Sequence, residues 1–213
     1  MKTYFSASTF RATLVALSIA SAPTLSLASS ATDTLNAQLL ETYNEVARAG
    51  NNIQDAVKSL TALTSGDASS LTSGFQSYTT AVNATYTSGK AAAARAKSMR
   101  DSMTDYFAKW TNEIGKMSDT AAKADSQQRL TAVQQSYSKI NEELASCAEK
   151  FVPLHGYLDG IQGSLKNDLS SDGVSAVTEM SDRAQTAMLT LHEDLKSLLS
   201  KIDETRKMLG ATP

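Results

Sequence analysis

Apolar residues recur along most of this chain at steps that alternate between four and three positions. A mean step of 3.5 residues keeps one stripe of a helix facing a partner helix, and sustaining that step makes packed helices coil around one another. The alternation runs through four segments, from Leu39 to Leu60, from Leu71 to Met117, from Leu130 to Leu165 and from Val177 to Leu209. This spacing predicts long helices packed along coiled-coil-like seams.

Few residues in the chain interrupt a helix. Between Ser29 and Thr212 the sequence contains one proline, Pro153, and its glycines are scattered. Short polar stretches over residues 64–67, 118–125 and 170–173 separate the apolar segments. They predict four helices, over residues 33–63, 69–119, 125–169 and 173–209. Scarce aromatic residues argue against a β-sandwich or barrel.

Two local features qualify these predicted helices. Ser69 and Ser70 are candidate N-caps of the second helix, because a serine side chain accepts a hydrogen bond from the first free amides. Pro153 is expected to kink the third helix or to end it briefly, since proline removes one amide donor and crowds the preceding turn.

The four predicted helices differ in length. Short loops make consecutive helices antiparallel, and the second and third helices are longer than the other two. We therefore expect an all-α fold, an elongated antiparallel bundle of about four long helices in which the second and third project as a two-helix hairpin. Because helix length is proportional to the number of residues, the first and fourth helices are too short to cover the whole hairpin. The part that projects beyond them covers roughly residues 106–138.

The end of this hairpin is the candidate partner-binding or self-association region. Large side chains in a seam of only two helices keep exposed flanks, and exposed apolar stripes commonly mark interaction surfaces. The candidate residues are Tyr106, Trp110, Ile114, Met117, Leu130, Val133 and Tyr137. The alternative is that the first or fourth helix covers these residues, which would make them ordinary core.

A basic stretch that contains Lys90, Arg95, Lys97 and Arg100 has no acidic residue within it. We expect these charges to face acids on neighbouring helices rather than to form an anion-binding patch. The predicted register brings Lys97 and Arg100 opposite acids of the third helix, and Lys90 and Arg95 near acids of the first. The acids are Glu142, Glu143 and Glu149 on the third helix and Glu41 and Glu45 on the first.

The N-terminus is typical of a cleaved signal peptide. Lys2 and Arg11 precede an apolar stretch over residues 12–27, and Ser26 and Ala28 are small residues at the positions that a signal peptidase requires. Cleavage after Ala28 predicts a signal peptide over residues 1–28 and a single helical domain over 29–213. The protein is then exported to the periplasm or cell envelope.

Removal of this leader leaves 18 basic and 22 acidic residues, a net charge of −4. An acidic chain is not expected to bind nucleic acid broadly, and we expect no membrane contact once the leader is gone. Cys147 is the only cysteine in the sequence, so no intramolecular disulfide forms.

The sequence lacks the spacings that metal and haem sites use. His155 and His192 are preceded at the Glu-x-x-His position by Val152 and Leu189. Consecutive residues such as His192 and Glu193 point in different directions around a helix and cannot converge on one ion. Cys147 has the spacing of a small apolar filler in the seam. We expect no cofactor, no metal and no enzymatic activity.

Several segments resemble a bacterial envelope protein family known as domain of unknown function 2959. They are Phe107 to Glu113, Arg129 with Leu130, Tyr137, Val152 to Leu154 and Leu165 to Leu169, and the similarity runs from about Tyr43 to the C-terminus. The resemblance implies a helical, exported protein. Many members are similar to lipoproteins with a cysteine directly after the leader, where this chain has Ser29, and the family supplies no catalytic residues.

The expected function is that of an exported, non-catalytic structural or adaptor protein of the cell envelope that acts through helical contacts. Its partner is either an unidentified envelope protein or a second copy of the chain. The alternative is a peripheral protein that associates with membranes through an amphipathic helix, for which the segment from Lys90 to Met103 is the candidate.

Overall fold

The computed structural model describes residues 28–210, with side chains from Thr32 onward. The predicted signal peptide therefore lies outside the described residues, except for Ala28. The helices are α1 (Ala28–Thr64), α2 (Leu71–Lys116), α3 (Thr120–Asn167), α4 (Ser171–Ala176) and α5 (Thr178–Met208), and a 3₁₀ turn at Ala68–Ser70 precedes α2. Residues 28–210 contain no strand, which confirms the all-α prediction.

The four long helices form a ring in which every neighbour is antiparallel. α1 packs most extensively on α2, and α3 on α5, whereas contacts of α1 with α5 are fewer and those of α2 with α3 are the fewest. The fold therefore consists of two closely packed helix pairs, α1 with α2 and α3 with α5, which lie side by side.

The predicted stripes supply the core of this bundle. The buried stripe residues include Leu39, Val46 and Leu60 of α1, Tyr78, Met99 and Met103 of α2, Ile140, Leu154 and Leu158 of α3, and Leu191, Leu198 and Ile202 of α5. Burying each large side chain contributes about 1.5–3 kcal/mol relative to exposure. Packing of these stripes, rather than helix propensity, holds the helices together.

Polar side chains define where several helices begin. Asp119 accepts a hydrogen bond from the backbone amide of Ala122 at 2.9 Å and caps α3. Ser170 does the same for Gly173 at 3.1 Å and caps α4. Ser70 precedes α2, but its hydroxyl donates to the carbonyl of Asp67 at 2.8 Å and caps no amide, so that predicted cap was wrong.

Two predictions about where helices are continuous differ from the structure. α3 continues through Pro153 without ending. Pro153 and its neighbour Val152 lie on the exposed face, where water reaches the backbone carbonyl left without its amide donor. The predicted fourth helix is instead divided near buried Val177, whose amide donates to the carbonyl of Val174 at 3.3 Å in a tighter turn.

The predicted charge register is correct for one pair between helices and wrong for others. Arg95 of α2 binds Glu41 of α1 at 2.6 Å. Lys97, however, pairs with Asp101 of its own helix at 2.8 Å. Glu143 accepts a hydrogen bond from Ser197 of α5 at 3.0 Å instead of facing α2.

The remaining charges of that prediction find other neighbours. Glu45 pairs with Arg48 one turn further along α1. Lys90 places its ammonium 5.3 Å from the ring centre of Tyr86. Asp101 of the same helix thus replaces the expected α3 partners of Lys97, and Arg100 makes no ion pair with Glu142, Glu143 or Glu149.

Candidate partner-binding site

The turn between α2 and α3 forms one end of the bundle. α2 closes at Lys116, with the amide of Met117 donating to the carbonyl of Ile114 at 3.2 Å, and α3 starts at Thr120. Lys116 pairs with Glu113 at 2.7 Å. A tight turn of this kind keeps the two helices adjacent. We call residues 110–130 the hairpin tip.

An aromatic cluster lies at the base of the hairpin tip. The rings of Tyr106 and Trp110 meet edge to face with 5.6 Å between their centres, and those of Phe107 and Tyr137 do so at 5.8 Å. The indole Nε1 of Trp110 donates to Ser126 Oγ at 3.0 Å. Edge-to-face pairs contribute about 0.5–1.5 kcal/mol beyond their burial. The cluster therefore connects α2 to α3.

The seven candidate residues divide into two groups by burial. Ile114, Leu130, Val133 and Tyr137 are buried. Tyr106, Trp110 and Met117 remain half-buried. The structure therefore brings all seven to one end of the bundle and leaves three of them with accessible surface. Whether they bind a partner stays a prediction.

The neighbouring helices reach further along the hairpin than the sequence predicted. Thr32 Oγ1 of α1 lies 3.0 Å from the Tyr106 hydroxyl, and Ser136 Oγ lies 2.7 Å from Thr205 Oγ1 of α5. Ala28 begins α1 about one turn beyond Thr32, level with Trp110. Within residues 28–210 the projection is thus limited to the hairpin tip, and the predicted span of 106–138 was too long.

Burial changes the chemistry of Tyr137. Its desolvation raises the pKa of the hydroxyl above the ordinary tyrosine value, an effect that Asn141 and Arg100 beside it oppose. The phenol therefore stays protonated at neutral pH and serves as a packing group. Sequence reasoning missed its ring partner Phe107, because Phe107 is one position away from the 4-3 stripe. An aromatic residue directly beside Tyr106 was the available signal.

Cys147 occupies the predicted place in the seam. It is buried, and burial is the largest of the causes that raise the pKa of its thiol to about 12, followed by the charges of Asp194 and Glu143. Because the thiolate is the nucleophile, the thiol is unreactive at neutral pH.

The two histidines have packing partners. The ring of His155 lies beside those of Tyr86 and Phe151, at 5.6 and 5.7 Å between centres. His192 Nδ1 lies 2.8 Å from the side-chain amide of Gln54. Among the described residues, no group of three or more His, Cys, Asp or Glu side chains is placed to hold a metal ion.

The segment proposed for membrane association is part of the bundle. Ala96, Met99 and Met103, the apolar residues of its helical face, are buried between the helices. That face is not available to a lipid surface while the bundle is folded. No helix within the described part of the chain is long and apolar enough to cross a membrane.

The described residues form an all-α helical bundle with a buried apolar core and an aromatic cluster at the base of its hairpin tip. The family model described as a protein of unknown function, DUF2959, matches residues 27–209. The chain therefore belongs to this family, as the resemblance indicated. Comparison with curated proteins and with solved structures finds no match.

Proposed function

We propose that this protein is an exported, non-catalytic structural or adaptor protein of the bacterial cell envelope, which holds a partner protein at its hairpin tip. The observation that carries the proposal is the set of partly accessible large side chains, Tyr106, Trp110 and Met117, at the end of a long bundle. α3 has 48 residues and is about 70 Å long. Such a rod separates a contact at its tip from contacts along its body.

Internal contacts occupy the side chains that catalysis would otherwise use. Cys147 is a protonated thiol in the core, and His192 is bound to Gln54. Lys150 and Ser146 bind Asp194 at 2.6 and 2.9 Å. These groups fasten helices to each other, which supports a role through protein contacts. The predicted leader supports the envelope as the place of action.

Trp110 is the anchor expected to contribute most of the binding energy. Tryptophan and tyrosine are enriched among the residues that contribute most to binding at protein interfaces. Substitution Trp110→Ala should remove a partner from a cross-linking pull-down carried out on the native envelope. Met117→Ala removes exposed apolar surface beside the turn and should weaken the same cross-link.

Leu189→Ala is the matched control for these two variants. Leu189 is an exposed apolar side chain of α5, 62% accessible, far from the turn between α2 and α3. It should leave the cross-linked partner unchanged. The unfolding free energy of each variant distinguishes binding from packing: a loss of roughly 3 kcal/mol or more in Trp110→Ala, with the cross-link retained in Met117→Ala, makes the hairpin tip ordinary core and refutes the proposal.

A further inference from the structure

The side of the bundle formed by α2 and α3 is its most open one. α2 and α3 share fewer contacts than any other pair of neighbouring long helices. Large side chains span the space between them at both ends of one stretch. Phe151 lies against Gly89, where an added Cβ would be 3.3 Å from its ring, and Phe107 meets Tyr137. We call the surface that these helices form from Tyr86 to Phe107 on α2 and from Tyr137 to His155 on α3 the α2–α3 face.

Apolar groups are accessible on this face. Tyr86 is 52% exposed and Val152 70% exposed, and they are two of the five large apolar side chains that are exposed among the described residues. Phe151 and His155 beside them are half-buried, and Ala93 and Ala148 in the middle are exposed. An ordinary surface rarely concentrates large apolar groups in one place.

Charged residues border the α2–α3 face with opposite signs. Lys90 and Arg100 are exposed basic residues of α2, which we call the basic edge, and Glu142 and Glu149 are exposed acidic residues of α3, which we call the acidic edge. None of the four makes an ion pair with another described residue. The two edges thus run side by side along the same stretch without neutralising each other.

We infer that the α2–α3 face binds a second copy of this chain in a parallel, symmetric dimer. A twofold axis parallel to the helices turns the second copy so that its α2 lies over the α3 of the first. This rotation preserves height along the axis. The basic edge of each copy therefore faces the acidic edge of the other, with Arg100 near Glu142 and Lys90 near Glu149, twice over.

The arrangement of charges and the area of the α2–α3 face favour a second copy of this chain as its binding partner. Rotation about an axis across the helices would set like charges against each other, so only the parallel arrangement is complementary. The stretch from Tyr86 to Phe107 is about 30 Å long and two helices wide, so each copy buries about 600 Å². The total, about 1,200 Å², reaches the range of specific interfaces. The dimer leaves both hairpin tips free at the same end.

Charge reversal in trans tests this dimer. One variant carries Lys90→Glu and Arg100→Glu, and the other carries Glu142→Lys and Glu149→Lys. Protein produced from the full sequence should sediment as a dimer. Each variant alone should dimerise at least tenfold more weakly, because every edge then faces its own sign. An equimolar mixture should restore the wild-type dissociation constant, since each edge meets its opposite in the mixed pair.

Lys58→Glu with Lys196→Glu is the matched control. These lysines are 72% and 61% exposed on α1 and α5, and their reversal changes the net charge by the same amount as reversal of Lys90 and Arg100. The control should dimerise like the wild type. A wild-type chain that stays monomeric at 100 µM, or a dimer that neither variant weakens, overturns the inference. Trp110→Ala should not alter dimerisation, so the dimer and the partner contact at the hairpin tip are tested separately.

Discussion

Among the described glycines, Gly173 is the one where an added Cβ would come closest to the backbone. A Cβ at this position would lie 2.1 Å from the carbonyl oxygen of Asp168, in the tight connection where the Ser170 side chain caps α4. Backbone cannot yield as a flexible side chain does. Glycine is therefore required here by the close approach of two chain segments.

Gly173→Ala should lower the free energy of unfolding by about 1–3 kcal/mol, because the connection must shift to admit a methyl group. Urea denaturation followed by circular dichroism measures the change. Gly163→Ala is the control: Gly163 is exposed within α3 and nothing lies within 4 Å of its added Cβ. That variant should gain about 0.5–1 kcal/mol from better helix propensity. Equal effects at both positions would contradict the close approach.

At the scale of helices, α3 and α5 are aligned by polar contacts along one side. The carboxylate of Asp194 in α5 accepts hydrogen bonds from two side chains of α3, Lys150 Nζ at 2.6 Å and Ser146 Oγ at 2.9 Å. The hydrogen bond from Lys150 is the main cause that lowers the pKa of Asp194 below its ordinary value. A carboxylate with a lowered pKa stabilises the fold above its unfolded pKa, and that contribution disappears as the pH falls through the folded pKa.

Asp194→Asn should therefore cost about 1 kcal/mol of unfolding free energy at pH 7, allowing for the partial exposure of both partners. The cost should shrink as the pH falls from about 4, where Asp194 of the unfolded chain begins to bind a proton, through the lower pKa of folded Asp194. Unfolding curves over this pH range measure it. Asp55→Asn removes an exposed partner 3.6 Å from Lys58 and should change little at any pH. A cost for Asp194→Asn that is constant with pH would show that packing, not charge, sets it.

The helices could be predicted from the sequence because their signal is local. Steps of four and three residues appear in the sequence itself, and the same stripes bury Leu39, Met99, Leu158 and Leu198 in the structure. The charge pairs could not be predicted as well. Asp101 lies one turn from Lys97 on the same helix. Lys97 pairs with this nearby acid rather than with an acid of α3, which lies on a more distant helix.

For the whole molecule, the arrangement of the bundle followed from short loops, whereas the extent of the hairpin depended on exact helix ends. The predicted start of α1 at residue 33 left Tyr106 uncovered, but α1 begins at Ala28 and Thr32 reaches the Tyr106 hydroxyl. A shift of five residues is about 7 Å along a helix. The position at which α1 begins decides how many of the seven candidate residues keep accessible surface. The spacing of apolar residues does not specify that position.

The mature protein, finally, should begin at Ser29 and carry no lipid. The predicted cleavage site after Ala28 lies beside the first residue of the family match, residue 27, so processing removes little of what the family model covers. Lipid attachment to a new N-terminus needs a cysteine there. Position 29 is serine, and Cys147 is buried in the core of the bundle.

Intact-mass spectrometry of protein from the native envelope tests this processing. The mass should equal that of residues 29–213, with no acyl increment. Replacing Ala28 with arginine puts a large residue where the peptidase requires a small one, and this variant should retain its leader and the corresponding mass. A wild-type mass that includes residues 1–28 would leave the apolar stretch over residues 12–27 on the chain. That result would refute cleavage after Ala28, and an acyl increment would refute the prediction that the mature protein carries no lipid.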